Sequence, residues 1–182
     1  MSPNVTVDVA LLRQIRFLHE IADEDLARIA GVAQQRQVAA NQVVFREGRP
    51  QTSIYLVVQG SVALEICAPG VGCRRIHTVA DGDLLGWSPV LGLEQATATA
   101  RTLTATTLIE VNAAQVVSIC EHNPRFGYEF MRRMGLALAQ RINATRLQLL
   151  DVYGSQLLAP PDAGDGVRPP DGRERDGGRG AG

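Results

Sequence analysis

Lysine is absent from the 182 residues; all 18 basic side chains are Arg. That pattern looks like the coding bias of a GC-rich genome rather than a functional signal. Against 19 acidic residues the formal charge is −1, so no strongly basic face is implied. Phosphate-backbone binding as the main task is thereby disfavoured. No apolar run approaches the ~18 residues of a membrane span. Met1 to Val9 lacks the charged and apolar stretches of a secretory signal. Cysteine is scarce: Cys67, Cys73 and Cys120 are an odd number without framework spacing. That usage points to a reducing cytoplasm. His19, His77 and His122 lie far apart and make no HxH, HExxH or i,i+4 pair, so metal-enzyme motifs are poorly supported. Aromatics are 4 % of the chain, with Trp87 the single tryptophan.

What is present divides by periodicity into four segments. From about Val7 to Ala33 the pattern is helical, with Leu11, Leu12, Ile15 and Leu18 at three- and four-residue steps. Asp23 is a candidate cap for a second helix carrying Leu26, Ile29 and Val32. Glu24 and Asp25 then sit in its first turn, where the helix dipole favours acids. From about Val38 to Val111 the chain reads as short strands. Ile54, Leu56 and Val58 alternate along one, and Val62, Leu64 and Ile66 along the next. Glu47-Gly48-Arg49-Pro50 and Ala68-Pro69-Gly70-Val71-Gly72 are turn signals. Many short strands at close spacing predict a sandwich, jelly roll or barrel.

Asn123-Pro124 opens the third segment as a cap followed by proline at the first helical position. The helical pattern continues to Tyr153, and Gly154 is a candidate C-terminal cap. Thirty residues would make ~45 Å of helix. Tyr128, Met131, Gly135, Leu138, Ile142, Thr145, Leu149 and Val152 form a heptad seam. A helix longer than its own domain buries the excess against a partner, so a homodimer is expected. The fourth segment, 159–182, is rich in Gly, Pro, Asp and Arg with Val167 as its one branched apolar residue. It is expected to be disordered.

In their order these segments carry a resemblance. Ile15-Arg16-Phe17-Leu18 before Ala22-Asp23-Glu24-Asp25-Leu26 resembles the entry of cyclic-nucleotide-binding domains of the Crp/Fnr type. Val43-Val44-Phe45-Arg46-Glu47-Gly48 is similar to the second-strand motif. Ile54-Tyr55-Leu56-Val57 with Gly60-Ser61-Val62 is similar to the next hairpin, and Gly82-Asp83-Leu84-Leu85-Gly86 resembles the lead-in to the phosphate-binding cassette. The resemblance covers roughly residues 10–153. It implies a mainly β fold with flanking helices: a double-stranded β-helix, or jelly roll, at 38–112 and a long dimerisation helix at 123–153.

The cassette departs from the family pattern. The family's ribose-holding Glu is replaced by Trp87, and its phosphate-pairing Arg by Ala96. Arg101 matches a position the family often fills with Arg for no ligand reason. Losing both groups costs on the order of 10²–10⁴ in affinity, at ~1.5–3 kcal/mol per charge-assisted hydrogen bond. Cyclic AMP and cyclic GMP are therefore expected to bind weakly or not at all. Ser88 as cap and Pro89 as first helical residue would leave amides free for an anion. Trp87 offers a flat face for a ring, or fills the vacated site. The candidate ligand region is thus Gly82, Asp83, Gly86, Trp87, Ser88, Ala96 and Arg101. Crp/Fnr regulators continue into a helix-turn-helix; Gly154 here runs into the tail, so direct DNA binding is not expected. Three cysteines on strands make a poor iron–sulfur set, and a lone His77 a poor haem ligand.

Two functions from different classes follow. One is a stand-alone cytoplasmic sensor, non-enzymatic, without metal or cofactor, that binds a small molecule and signals through its dimer helix to a partner protein. The other is a ligand-free structural or assembly module using the same fold as a scaffold. An enzyme lacks any constellation of catalytic residues.

Overall fold

The computed structural model describes residues 7–70 and 72–157. The chain divides into a unit of residues 1–147 and a second of 148–182. The tail 159–182 lies outside the described residues.

The first unit is a double-stranded jelly roll with helices at its two chain ends. The strands are β1 (Ala33–Val38), β2 (Val43–Phe45), β3 (Ser53–Gln59), β4 (Val62–Ala68), β5 (Gly72–Val79), β6 (Leu84–Leu85), β7 (Thr99–Thr102) and β8 (Thr106–Asn112). One antiparallel sheet has the order β1-β8-β3-β6 and the other β2-β7-β4-β5. The faces between the sheets bury Tyr55, Val57, Val62, Leu64, Val79, Leu85, Ala100 and Leu108. The outer face of the first sheet turns Ile54, Leu56, Ile109 and Val111 toward the helices. Period-two alternation thus supplies two cores, because successive side chains leave a strand on opposite faces.

The helices meet on that outer face. They are α1 (Val9–Arg13), α2 (Asp23–Ala30), α3 (Ala113–His122) and α4 (Pro124–Leu157). Leu12, Ile15, Leu18, Leu26, Phe126, Phe130 and Met134 share one buried cluster. Phe130 meets Phe17 edge-on at 5.3 Å and Phe126 at 5.6 Å. Asn123 begins α4: its side chain accepts from the Phe126 amide at 3.2 Å and donates to Asp25 at 2.6 Å.

Several expectations are corrected. The first helical segment breaks after Arg13 and resumes as a 3₁₀ turn at Arg16–Leu18. Ala22, not Asp23, occupies the cap position of α2, and Asp23, Glu24 and Asp25 fill its first turn. Gly154 does not end α4, which continues to Leu157. Strand β1 and helix α3 are additions to the sequence reading. The Asn112 side chain caps α3 by accepting from the amides of Ala114 and Gln115. Cys67 and Cys73, facing each other across the β4–β5 hairpin, form a disulfide, and Cys120 is free. The bridge is an addition to the sequence reading, which took the odd cysteine count only as pointing to a reducing cytoplasm.

Candidate functional site

The turn from β6 into the following helical segment is built around Gly86. Its φ is +76°, and a Cβ there would collide with the Gln51 side-chain nitrogen. Gln51 is placed by donating that same nitrogen to the carbonyls of Ser53 and Gly86, both at 2.8 Å. Only glycine satisfies both the backbone twist and the close approach. Gly82 is held as firmly, with φ +84° and the Arg16 Cβ 2.8 Å from where its own would lie. Its amide donates to Val57, and its carbonyl accepts from Phe17 at 2.9 Å. The N-terminal helices therefore lock the strand that carries Leu84 and Leu85.

Trp87 follows Gly86 and occupies the cap position of a 3₁₀ turn, Ser88–Leu91. No side chain caps this turn, so the expectation of Ser88 as a capping residue is corrected. Ser88 is instead buried and is itself the first residue of the turn, so Pro89 stands second rather than first.

A cavity of about 300 Å³ opens beside Trp87. Phe45, Leu64, Ile76 and Ala98 line it from the jelly roll, and Leu138, Arg141 and Ile142 from α4. Its walls are largely apolar, as in ordinary small-molecule sites, with His77, Ser88, Thr97, Thr145, Arg146 and Arg141 as the polar members. Arg146 is exposed, whereas Arg141 is half-buried. The Arg141 guanidinium carbon sits 4.1 Å over the centre of the Trp87 ring, a cation–π geometry. Its Nη2 donates to the Leu84 carbonyl. Burial lowers its pKa to about 10, partly opposed by Asp83. It therefore keeps its charge at neutral pH. His77 shares the cavity wall. Burial first, and then the Arg141 charge, lower its pKa, with Asp83 opposing.

The sequence candidates separate on this geometry. Gly86, Trp87 and Ser88 line the cavity. Ala96 is buried, with its amide on the Arg49 carbonyl at 3.0 Å and its carbonyl accepting from Gly48 at 2.8 Å. It does not line the cavity, whereas the adjacent Thr97 and Ala98 do. Arg101 points its Nε to Glu65 at 3.3 Å and is absent from the lining. Asp83 pairs with Arg16 and accepts from the Ala80 amide at 3.3 Å. It borders a neighbouring polar cleft that shares His77 and Arg141. On α4, Tyr128, Met131 and Ile142 are exposed, while Leu138 packs against the core of its own domain. The side chains of Leu149 and Val152 lie outside the described residues. Arg141 was missed by sequence reasoning. As one Arg among 18, on a helix read for its apolar seam, it carried no local signal.

Residues 35–123 match the family model described as "Cyclic nucleotide-binding domain". A Rhodopseudomonas palustris protein bearing the name of a potassium channel is 27% identical over 148 residues, 81% of this chain and 35% of its own length. An NTE family protein of Mycobacterium tuberculosis is 30% identical over 129 residues, 71% of this chain and 21% of its own length. The chain thus spans about a third or less of these curated relatives. Among solved structures, the Thermus thermophilus catabolite activator protein superposes with a TM-score of 0.61 at 22% identity, covering 76% of this chain and 63% of that one.

Proposed function

We propose, for a chain whose residues 35–123 match the cyclic nucleotide-binding domain, a regulatory sensor of the Crp/Fnr type without catalytic activity. It binds a small molecule beside Trp87 and relays occupancy through α4 to a partner protein. The observation that carries this reading is the shared wall of the cavity. Trp87 and Ala98 belong to the jelly roll, and Leu138, Arg141 and Ile142 to α4. A ligand touching both has different contacts in each position of the helix, and that difference shifts the equilibrium between them. The replacements at Trp87 and Ala96 argue against tight cyclic AMP or cyclic GMP binding in the family's usual manner.

A homodimer is part of the proposal. Tyr128, Met131 and Ile142 are 68%, 44% and 58% exposed, which supports a second copy of α4 against that stripe. Cytoplasmic action is also proposed. Among the described residues no helix is long and apolar enough to cross a membrane. The Cys67–Cys73 bridge gives the check, since such bridges persist in oxidising compartments. Alkylation of protein trapped at lysis supports a cytoplasmic chain if both thiols are free, and opposes it if the bridge is intact.

A thermal-shift screen of cyclic AMP, cyclic GMP and other small anions tests the sensor reading. A ligand at 100 times its Kd stabilises by ~2.7 kcal/mol, which raises the melting temperature by roughly 5–10 °C. If no small molecule stabilises the protein, the ligand-free scaffold becomes the better account.

A further inference from the structure

Arg141 is poorly matched to the walls around it. Its Nη1 is buried with no hydrogen-bond partner among the described residues. A buried guanidinium with an unused donor is costly unless an acceptor reaches it. Among the described residues no carboxylate lines the cavity. Asp83, the acid that acts on Arg141 from nearby, is already engaged by Arg16 and the Ala80 amide. The neighbouring His77 is held toward its neutral form by burial. Among the described residues the face of Trp87 and the Leu84 carbonyl are the partners of the Arg141 guanidinium. Neither neutralises its charge.

We infer that Arg141 is the anchoring cation for a ligand bearing one carboxylate or phosphate on a compact apolar body. This deepens the sensor reading and rests on it. The anion meets the guanidinium at α4. The apolar body lies against Phe45, Leu64, Ile76, Ala98 and Leu138. A volume of about 300 Å³ equals roughly ten water molecules at ~30 Å³ each, which suits a body of about ten to fifteen heavy atoms. The anion is thus taken from the helix side, away from the Ala96 position where the family places its phosphate-pairing Arg. Pairing with an anion also alters what Arg141 offers Trp87 and Leu84, and so couples ligand charge to the hold of α4 on the jelly roll.

Calorimetry on the full chain tests this with naphthoate, naphthyl phosphate and the neutral isostere naphthamide. At least one anion should bind about 10- to 100-fold more tightly than the amide, the worth of a charge-assisted hydrogen bond. The tighter of the two names the head group. Arg141→Gln should erase the difference, and Arg141→Lys should retain part of it. Equal binding of acid and amide overturns the anion assignment while leaving the sensor reading intact. Discrimination that survives Arg141→Gln in a folded variant overturns it as well. If the variant fails to fold, the wild-type comparison of acid with amide decides alone. If none of the three binds, the assignment of Arg141 falls, and the thermal-shift screen alone decides the sensor reading.

Discussion

Replacing Arg141 with methionine should make the protein more stable. The guanidinium is lowered from an ordinary pKa of 12.5 to about 10, mainly by burial. That displacement corresponds to roughly 3 kcal/mol against holding the charge where it is. Two favourable contacts oppose this cost. The hydrogen bond to the Leu84 carbonyl contributes about 1 kcal/mol, and the stack on Trp87 about 1 kcal/mol. Methionine loses both, yet its flexible thioether suits an apolar cavity and adds a little burial. The net expectation is a gain of about 1–2 kcal/mol. For a unit of residues 1–147, that is a rise of roughly 3–6 °C in melting temperature. Calorimetric melting of wild type and Arg141→Met at pH 7, without ligand, measures it. A fall of several degrees would refute the reasoning, because Arg141 would then be a structural tie between α4 and the jelly roll. A gain accompanied by lost anion binding is the usual trade between stability and function at a binding site.

Other outcomes follow from single residues. Gly86→Ala should destabilise by about 1–3 kcal/mol, since it forces a side chain into φ +76° and into Gln51; a melting temperature unchanged in that variant would show the turn to be adaptable. Met131→Asp places a charge on the exposed stripe of α4, outside the 300 Å³ cavity, and should shift a dimer toward monomer in light scattering. A wild type already monomeric at micromolar concentration would remove the basis of that expectation. His77 has a folded pKa below its ordinary 6.5, so its neutral form favours the fold. That contribution is present above pH ~6.5 and is lost as pH falls through the lower folded value. Melting temperatures of wild type should therefore fall more than those of His77→Gln between about pH 7.5 and 5; parallel curves would deny His77 this role.

Local signals carried much of the architecture. The alternation in Ile54–Val58 and Val62–Ile66 gave β3 and β4, because period two is a property of any extended chain with one buried face. Asn123-Pro124 marked the start of α4 for an equally local reason. Helix α3 was legible in Asn112 followed by Ala113-Ala114-Gln115, but the preceding strand pattern masked it. Strand β1 was not legible: Ala33–Val38 is mostly polar and half-exposed, and it is a strand through its pairing with β8. Gly154 was a stop signal that did not act. One helical glycine costs about 1 kcal/mol, which does not by itself terminate a helix.

By itself the sequence indicated the alternating strands β3 and β4, the start of α4, and a resemblance to a phosphate-binding cassette with Trp87 and Ala96 in its two charged positions. Each rests on a backbone conformation or on residue type within a few neighbours. Tertiary structure alone decided that Arg101 is engaged by Glu65 and that Arg141 reaches Trp87. A side chain's partner depends on which distant element is packed across it. The charge of this cavity comes from α4 crossing the jelly roll, and no local pattern in either element records that crossing.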